Sequence, residues 1–172
     1  MPCIFCEIIS GAVPSKKIYE DEKVVGILDI YPAAVGHILL IPREHHATFT
    51  EMSEELVGHL GVITSRLALI LVTNMKAQGV TTMLQQGVVA GQKSPHCIMH
   101  LIPRKEDDSL GMNVHGRDIS QDELEQGLAK MRKGVEKEVE ETSINEKAES
   151  EQENEETEEE QKNMLDLVGE LV

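Results

Sequence analysis

A chain whose final 39 residues hold fifteen acidic and three basic side chains cannot close as one body. Gly134 to Val172 carry a net charge of −12, which leaves only −3 of the total −15 for residues 1–133. Few apolar side chains are present there to offset an ordering cost of about 1–2 kcal/mol per residue. The 172 residues fit one core-forming domain with an appendage, or two very small domains. Residues 134–163 are expected to be a solvated spacer, either disordered or a single solvated helix, since Glu and Lys are good helix formers. Residues 164–172 differ, because Met164, Leu165, Val168, Leu171 and Val172 share one helical face. So short an amphipathic segment needs a surface to dock on, its own body or a protein partner. The near-neutral body's charge says little about what it binds, but without a basic stripe to displace counterions nucleic acid is not expected as the partner of the tail.

Three cysteines, Cys3, Cys6 and Cys97, form an odd set with no apolar leader before them. That pattern is not a disulfide framework and fits a reducing cytoplasm. The longest apolar run, Leu67 to Val72, is too short to span a bilayer, so no membrane partner is expected.

The pattern of elements is mixed. Residues 4–9 form a brief helix stopped by Ser10-Gly11. Lys17 to Tyr19 and Val24 to Leu28 read as a hairpin around an acidic turn, and His37 to Ile41 as a strand closed by Pro42. Ser53 is a helix N-cap with Glu54 and Glu55 behind it, and Leu56, Leu60, Ile63, Leu67, Ile70 and Leu71 follow at helical spacing until Gly79. Between Leu67 and Val72 this helix is apolar on every side. A sheet can cover one face, and a second subunit is the simplest cover for the other. Thr82 to Gln86 and Cys97 to Ile102 are further strands, and Ser120, Asp122 and Glu123 open a last helix through Lys133.

The segment AGQKSPHCIMHLIPR, residues 90–104, resembles the signature of the histidine-triad (HIT) family, in which Gly-Gln precedes His-x-His-x-His and then Pro-Arg. IFCEIISG at 4–11, the acidic turn 20–23, LDIYP at 28–32 and GHILLIPREH at 36–45 support it in order and spacing. The resemblance implies an α+β fold for residues 1–115, with an antiparallel sheet of about five strands and one long helix across it; the helix read from the residues in 116–133 would belong to that domain or lie next to it. It also implies a homodimer, and a purine nucleotide such as AMP or GMP as ligand. Asp29 would meet the ribose hydroxyls. Ile4, Phe5, Ile8, Ile27 and Ile30 would form the base slot, with Gln92, Ser94 and His100 at the phosphate end.

In the family, the middle histidine attacks an α-phosphate to form a nucleotidyl-histidine, which water cleaves. Here His96 and His100 match the outer histidines, and the middle position is Ile98. Side chains alternate along a strand, so 96, 98 and 100 share a face, but the outer two lie about 6.6 Å from the centre. In-line attack needs roughly 3–3.5 Å. Losing a nucleophile costs on the order of 10⁶ in turnover in an unrelated protease. Gln85 also stands where the family has a phosphate-contacting asparagine. The expectation is a nucleotide-binding protein with impaired hydrolase chemistry. The alternatives are an active hydrolase or transferase of nucleoside phosphoramidates or dinucleoside polyphosphates, and an interaction module without nucleotide.

Cys3-x-x-Cys6 has the spacing of a two-ligand zinc knuckle. In a subset of the family such a pair joins two histidines around a structural Zn²⁺, and the matching residues here are His45 and His96. His46 is the neighbouring competitor. Cys97 faces the other side of the sheet and reads as a small buried apolar residue. His59 and His115 read as surface residues, and His37 is given no chemistry.

Overall fold

The structure, a computed structural model, describes residues 3–111, 115–139 and 142. It falls into two compact units, Met1–Met112 and Asn113–Val172.

The first unit runs α1 (Ile4–Ser10), β1 (Lys17–Glu20), β2 (Val24–Leu28), β3 (Ile38–Pro42), α2 (Glu54–Asn74), β4 (Gly79–Leu84) and β5 (Met99–Arg104). The strands form one antiparallel sheet in the order β1-β2-β3-β5-β4. This is the expected α+β architecture, and strand alternation explains how it closes. Val24, Ile38, Leu40 and Leu101 point to one face, under α2. Val25, Ile27, Leu39 and Ile41 point to the other, where Phe5, Ile8 and Ile9 of α1 cover them. The near-continuous apolar runs VVGIL and ILLIP are thus central strands with both faces covered.

Helix α2 starts as its sequence dictates, with Ser53 Oγ accepting the Leu56 N–H at 3.3 Å. Leu56, Leu60, Ile63, Leu67 and Leu71 are its buried side. The opposite side leaves Val62, Leu69, Ile70 and Val72 between 43% and 63% exposed. Taken whole, α2 is long and apolar enough to cross a bilayer, which corrects the argument from uninterrupted runs. Its leucine face is packed on the sheet, as in the core helix of a globular domain.

Several boundaries differ from the sequence reading. Helix α2 ends at Asn74, and Lys76 takes the left-handed turn at φ 55°, so Gly79 starts β4 rather than stopping the helix. Strand β5 begins at Met99, two residues later than expected, because the Cys97 N–H is taken by the His46 carbonyl at 2.7 Å.

In the second unit, residues 121–139 are helical, six residues beyond the expected end at Lys133. A reciprocal cap begins them: Glu123 N–H donates to Ser120 Oγ, and the Glu123 carboxylate accepts the Ser120 N–H. The acidic segment beyond 142 and the amphipathic segment 164–172 lie outside the described residues.

Candidate functional site

Two polar clusters sit on the α1 face of the sheet. The first joins Cys3 just before α1, Cys6 in its first turn, His45 after β3 and His96 before β5. One ligand atom from each lies within 4.8 Å of the others. The His96 Nδ1 atom is 3.5 Å from Cys3 Sγ and 3.6 Å from Cys6 Sγ, and His45 Nδ1 is 3.2 Å from Cys6 Sγ. A tetrahedral zinc with ordinary bond lengths has N···S edges of about 3.5–3.6 Å, so the spacing fits. The His96 ring is 1% exposed, and its Nε2–H donates to the Pro42 carbonyl at 2.9 Å. That bond leaves Nδ1 unprotonated toward the sulfurs, the outer-shell arrangement expected of a metal-binding imidazole. Burial and the neighbouring Cys3 thiol push the Cys6 pKa up. His46 does not join the cluster; its ring turns toward Glu44. Cys97 is buried with its pKa raised to about 11 by burial and then by Glu51, so it is inert.

The second cluster is Asp29, His37 and His100, whose ligand atoms also lie within 4.8 Å of one another. His37 Nδ1 accepts the Ala33 N–H at 3.2 Å, with an Asp29 carboxylate oxygen 3.4 Å away. A backbone amide only donates, so the neutral His37 carries its proton on Nε2. That atom lies 3.1 Å from His100 Nδ1 and donates to it. His100 in turn must carry its proton on Nε2. Burial holds both imidazoles below the ordinary histidine pKa, against the pull of Asp29. His100 thus presents an uncharged N–H and no lone pair.

His37 is the residue that sequence reasoning missed. The signal was available in the pleat: His37, Leu39 and Ile41 alternate onto one face, Asp29 extends Val25 and Ile27 on the same face, and His100 pairs with Leu39 across the ladder.

Between the two clusters lies Ile98, packed with Val25, Ile27, Leu39 and Ile41. Positions 96, 98 and 100 do face the same way, although His96 and Ile98 precede the strand. The expected phosphate ligands are otherwise engaged. Gln85 Nε2 donates to the Ala90 carbonyl at 3.0 Å, inside its own loop. A Cβ on Gly91, at φ +94°, would lie 2.3 Å from that amide nitrogen, so the glycine makes room for the brace. Gln92 accepts the Gly87 N–H and donates to the carbonyls of Ala47 and Ser94. Ser94 Oγ accepts the His96 N–H at 3.3 Å.

The expected base slot is split. Ile27 is 3% exposed and belongs to the core, so it offers a ligand no surface. Phe5 and Ile8 are half-buried on the same cluster. Ile4 and Ile30 are 47% and 77% exposed and free to meet a ligand. His115 is exposed as expected. His59 is not a free surface residue: its Nε2 lies 2.7 Å from Asp21, which also accepts the Tyr19 hydroxyl.

Known proteins resemble this chain in sequence and in fold. The HIT domain family profile matches residues 10–107. The protein named Protein hit of Bacillus subtilis is 36% identical over 126 residues, 72% of this chain and 87% of that protein. The crystal structure of a histidine triad nucleotide-binding protein from Candida albicans superposes with a TM-score of 0.71 at 29% identity, covering 79% of this chain and 99% of that one. A Zn-bound histidine triad family protein from Mycobacterium smegmatis superposes at 0.62 with 34% identity, covering 78% and 98%. By this match and by the order in which its sheet carries the two histidine clusters, the chain belongs to the HIT domain family.

Proposed function

We propose that this chain is a purine nucleotide-binding HIT protein that has lost the family's hydrolytic step. One observation carries the reading: Ile98 occupies the centre of the site, flanked by His96 and His100. An aliphatic side chain has no lone pair to attack phosphorus. Neither neighbour replaces it. His96 has both ring nitrogens committed, to Pro42 and toward the thiols. His100 presents a donor, set by the Ala33–His37–His100 chain.

The ligand sits between the exposed Ile4 and Ile30 with its ribose toward Asp29. Asp29 Oδ1 accepts the Tyr31 N–H, which fixes the carboxylate. A structural Zn²⁺ held by Cys3, Cys6, His45 and His96 ties α1 to the sheet, and the chemistry of the donor set supports it. With four protein ligands that metal keeps no open position, so it supplies folding energy and takes no substrate.

The molecule acts as a homodimer. The apolar stripe Val62, Leu69 and Ile70 on α2 and the uncharged edge strand β4 form the surface that a second copy covers. The test of the binding reading is a calorimetric titration with AMP and GMP. Saturable one-per-protomer binding supports it. No heat with either nucleotide, or with the corresponding nucleosides, leaves only an interaction module.

A further inference from the structure

We infer that the slot recognises an uncharged nucleoside, and that a 5′-phosphate adds nothing to binding. The inference rests on the nucleotide-site reading above and names the ligand class that this version of the site takes. A phosphate dianion is held by charge-assisted donors, several at once, because it must be stripped of strongly bound water. Several of the places from which such donors would come are filled or spent, and the groups left over carry no charge. Ile98 belongs to the apolar cluster with Val25, Ile27, Leu39 and Ile41. The Gln85 amide is folded back on Ala90 and fills the hollow over Gly91. The Gln92 amide has Gly87, Ala47 and Ser94 as partners. The Gln86 amide oxygen accepts the Phe49 N–H at 2.8 Å, and its N–H groups remain as neutral donors.

The donors that remain are uncharged, first among them the Nε2–H of His100, whose opposite ring nitrogen accepts from His37. Ser94 keeps its hydroxyl proton but spends its acceptor on His96. The charge nearest this donor is negative: the Asp29 carboxylate stands in the same cluster as His37 and His100. Lys93 is the cation of the loop, and it is exposed, where a charge is screened and contributes little. A 5′-hydroxyl asks for one donor and no countercharge, which is what His100 offers. A phosphate in its place would face a carboxylate and an isoleucine.

The test is a set of matched calorimetric titrations of the full-length zinc-loaded chain: adenosine against AMP, and guanosine against GMP, at one ionic strength. The expected result is that the better-bound nucleoside has a Kd equal to, or up to tenfold below, that of its 5′-monophosphate. The Ile98→His variant, which restores a ring nitrogen at the centre, is expected to tighten the monophosphate about tenfold and to leave the nucleoside within twofold. A native chain that binds the monophosphate ten times or more tightly than the nucleoside overturns this inference while leaving nucleotide binding intact. Absence of binding by both nucleosides and both monophosphates overturns the inference together with the reading beneath it.

Discussion

Removing the metal from the Cys3, Cys6, His45 and His96 cluster should release α1 while leaving the rest of the sheet folded. The seven residues of α1 include none that is fully buried. Its hold on the sheet comes from Phe5, Ile8 and Ile9, each half-buried. At about 1 kcal/mol for half-burying such a side chain, the three contribute about 3 kcal/mol. Ordering seven residues costs about 7–14 kcal/mol. The clasp must therefore supply a large part of the balance. At free zinc about a thousand times its Kd, linkage stabilises the fold by about 4 kcal/mol. For a body of this size that is about 15 °C in Tm. The assay is scanning calorimetry with and without a chelator, beside hydrogen exchange. Chelation should strip protection from the amides of residues 7–11 and leave that of β2, β3 and the buried side of α2. Cys6→Ser should behave as the chelated protein and bind less than one zinc per chain. A chelated protein with an unchanged Tm and full α1 protection would refute the reasoning, because the apolar contacts would then suffice alone.

Other consequences are simpler. Leu69→Glu should convert a dimer into a monomer by light scattering while the protomer keeps its fold by circular dichroism, since the side chain is 63% exposed in the protomer. In the zinc-loaded protein, His37 and His100 are held neutral by burial, so the unfolded chain binds protons that the folded one does not. Stability should therefore fall as pH drops below about 6.5, by up to about 2.7 kcal/mol per pH unit for two groups. Replacing both with Asn should flatten that slope in a urea series. Asp21 is partly buried, which raises its pKa, but the Tyr19 hydroxyl, the Val24 and Lys23 amides and His59 hold the carboxyl well below the usual range. Asp21→Asn should cost about 1–3 kcal/mol at pH 7. In the parent that contribution should disappear as pH falls below about 4, where only the unfolded carboxylate takes up a proton first.

Much of this was legible in the order of residues. Short, near-continuous apolar runs such as VVGIL and ILLIP mark the central strands, and the Ser53-Glu54-Glu55 start of α2 is visible without a structure. The Cys-x-x-Cys pair and its two histidines come together because strand ends and α1 meet at one end of the sheet. Other features depend on contacts that spacing does not encode. Gly79 has the look of a helix stop, yet Lys76 makes the turn, since a non-glycine left-handed residue leaves no sequence mark. The late start of β5 comes from a single amide of Cys97 bonding the distant His46. The internal use of Gln85 and Gln92 follows from a loop that folds back on itself, so residues read as ligand contacts turned out to be braces. His37 was passed over because a histidine at a strand start has no meaning until the strand's partners are known.

At the reacting position of the site stands Ile98, which is no nucleophile. Incubation of the zinc-loaded chain with an adenosine 5′-phosphoramidate, with acid-quench trapping of protein-bound nucleotide, tests this directly. The expected result is no adenylylated histidine, with turnover on the order of 10⁶-fold below that of Ile98→His. Enzyme-like turnover by the native chain, with a nucleotidyl group recovered on His96 or His100, would contradict it.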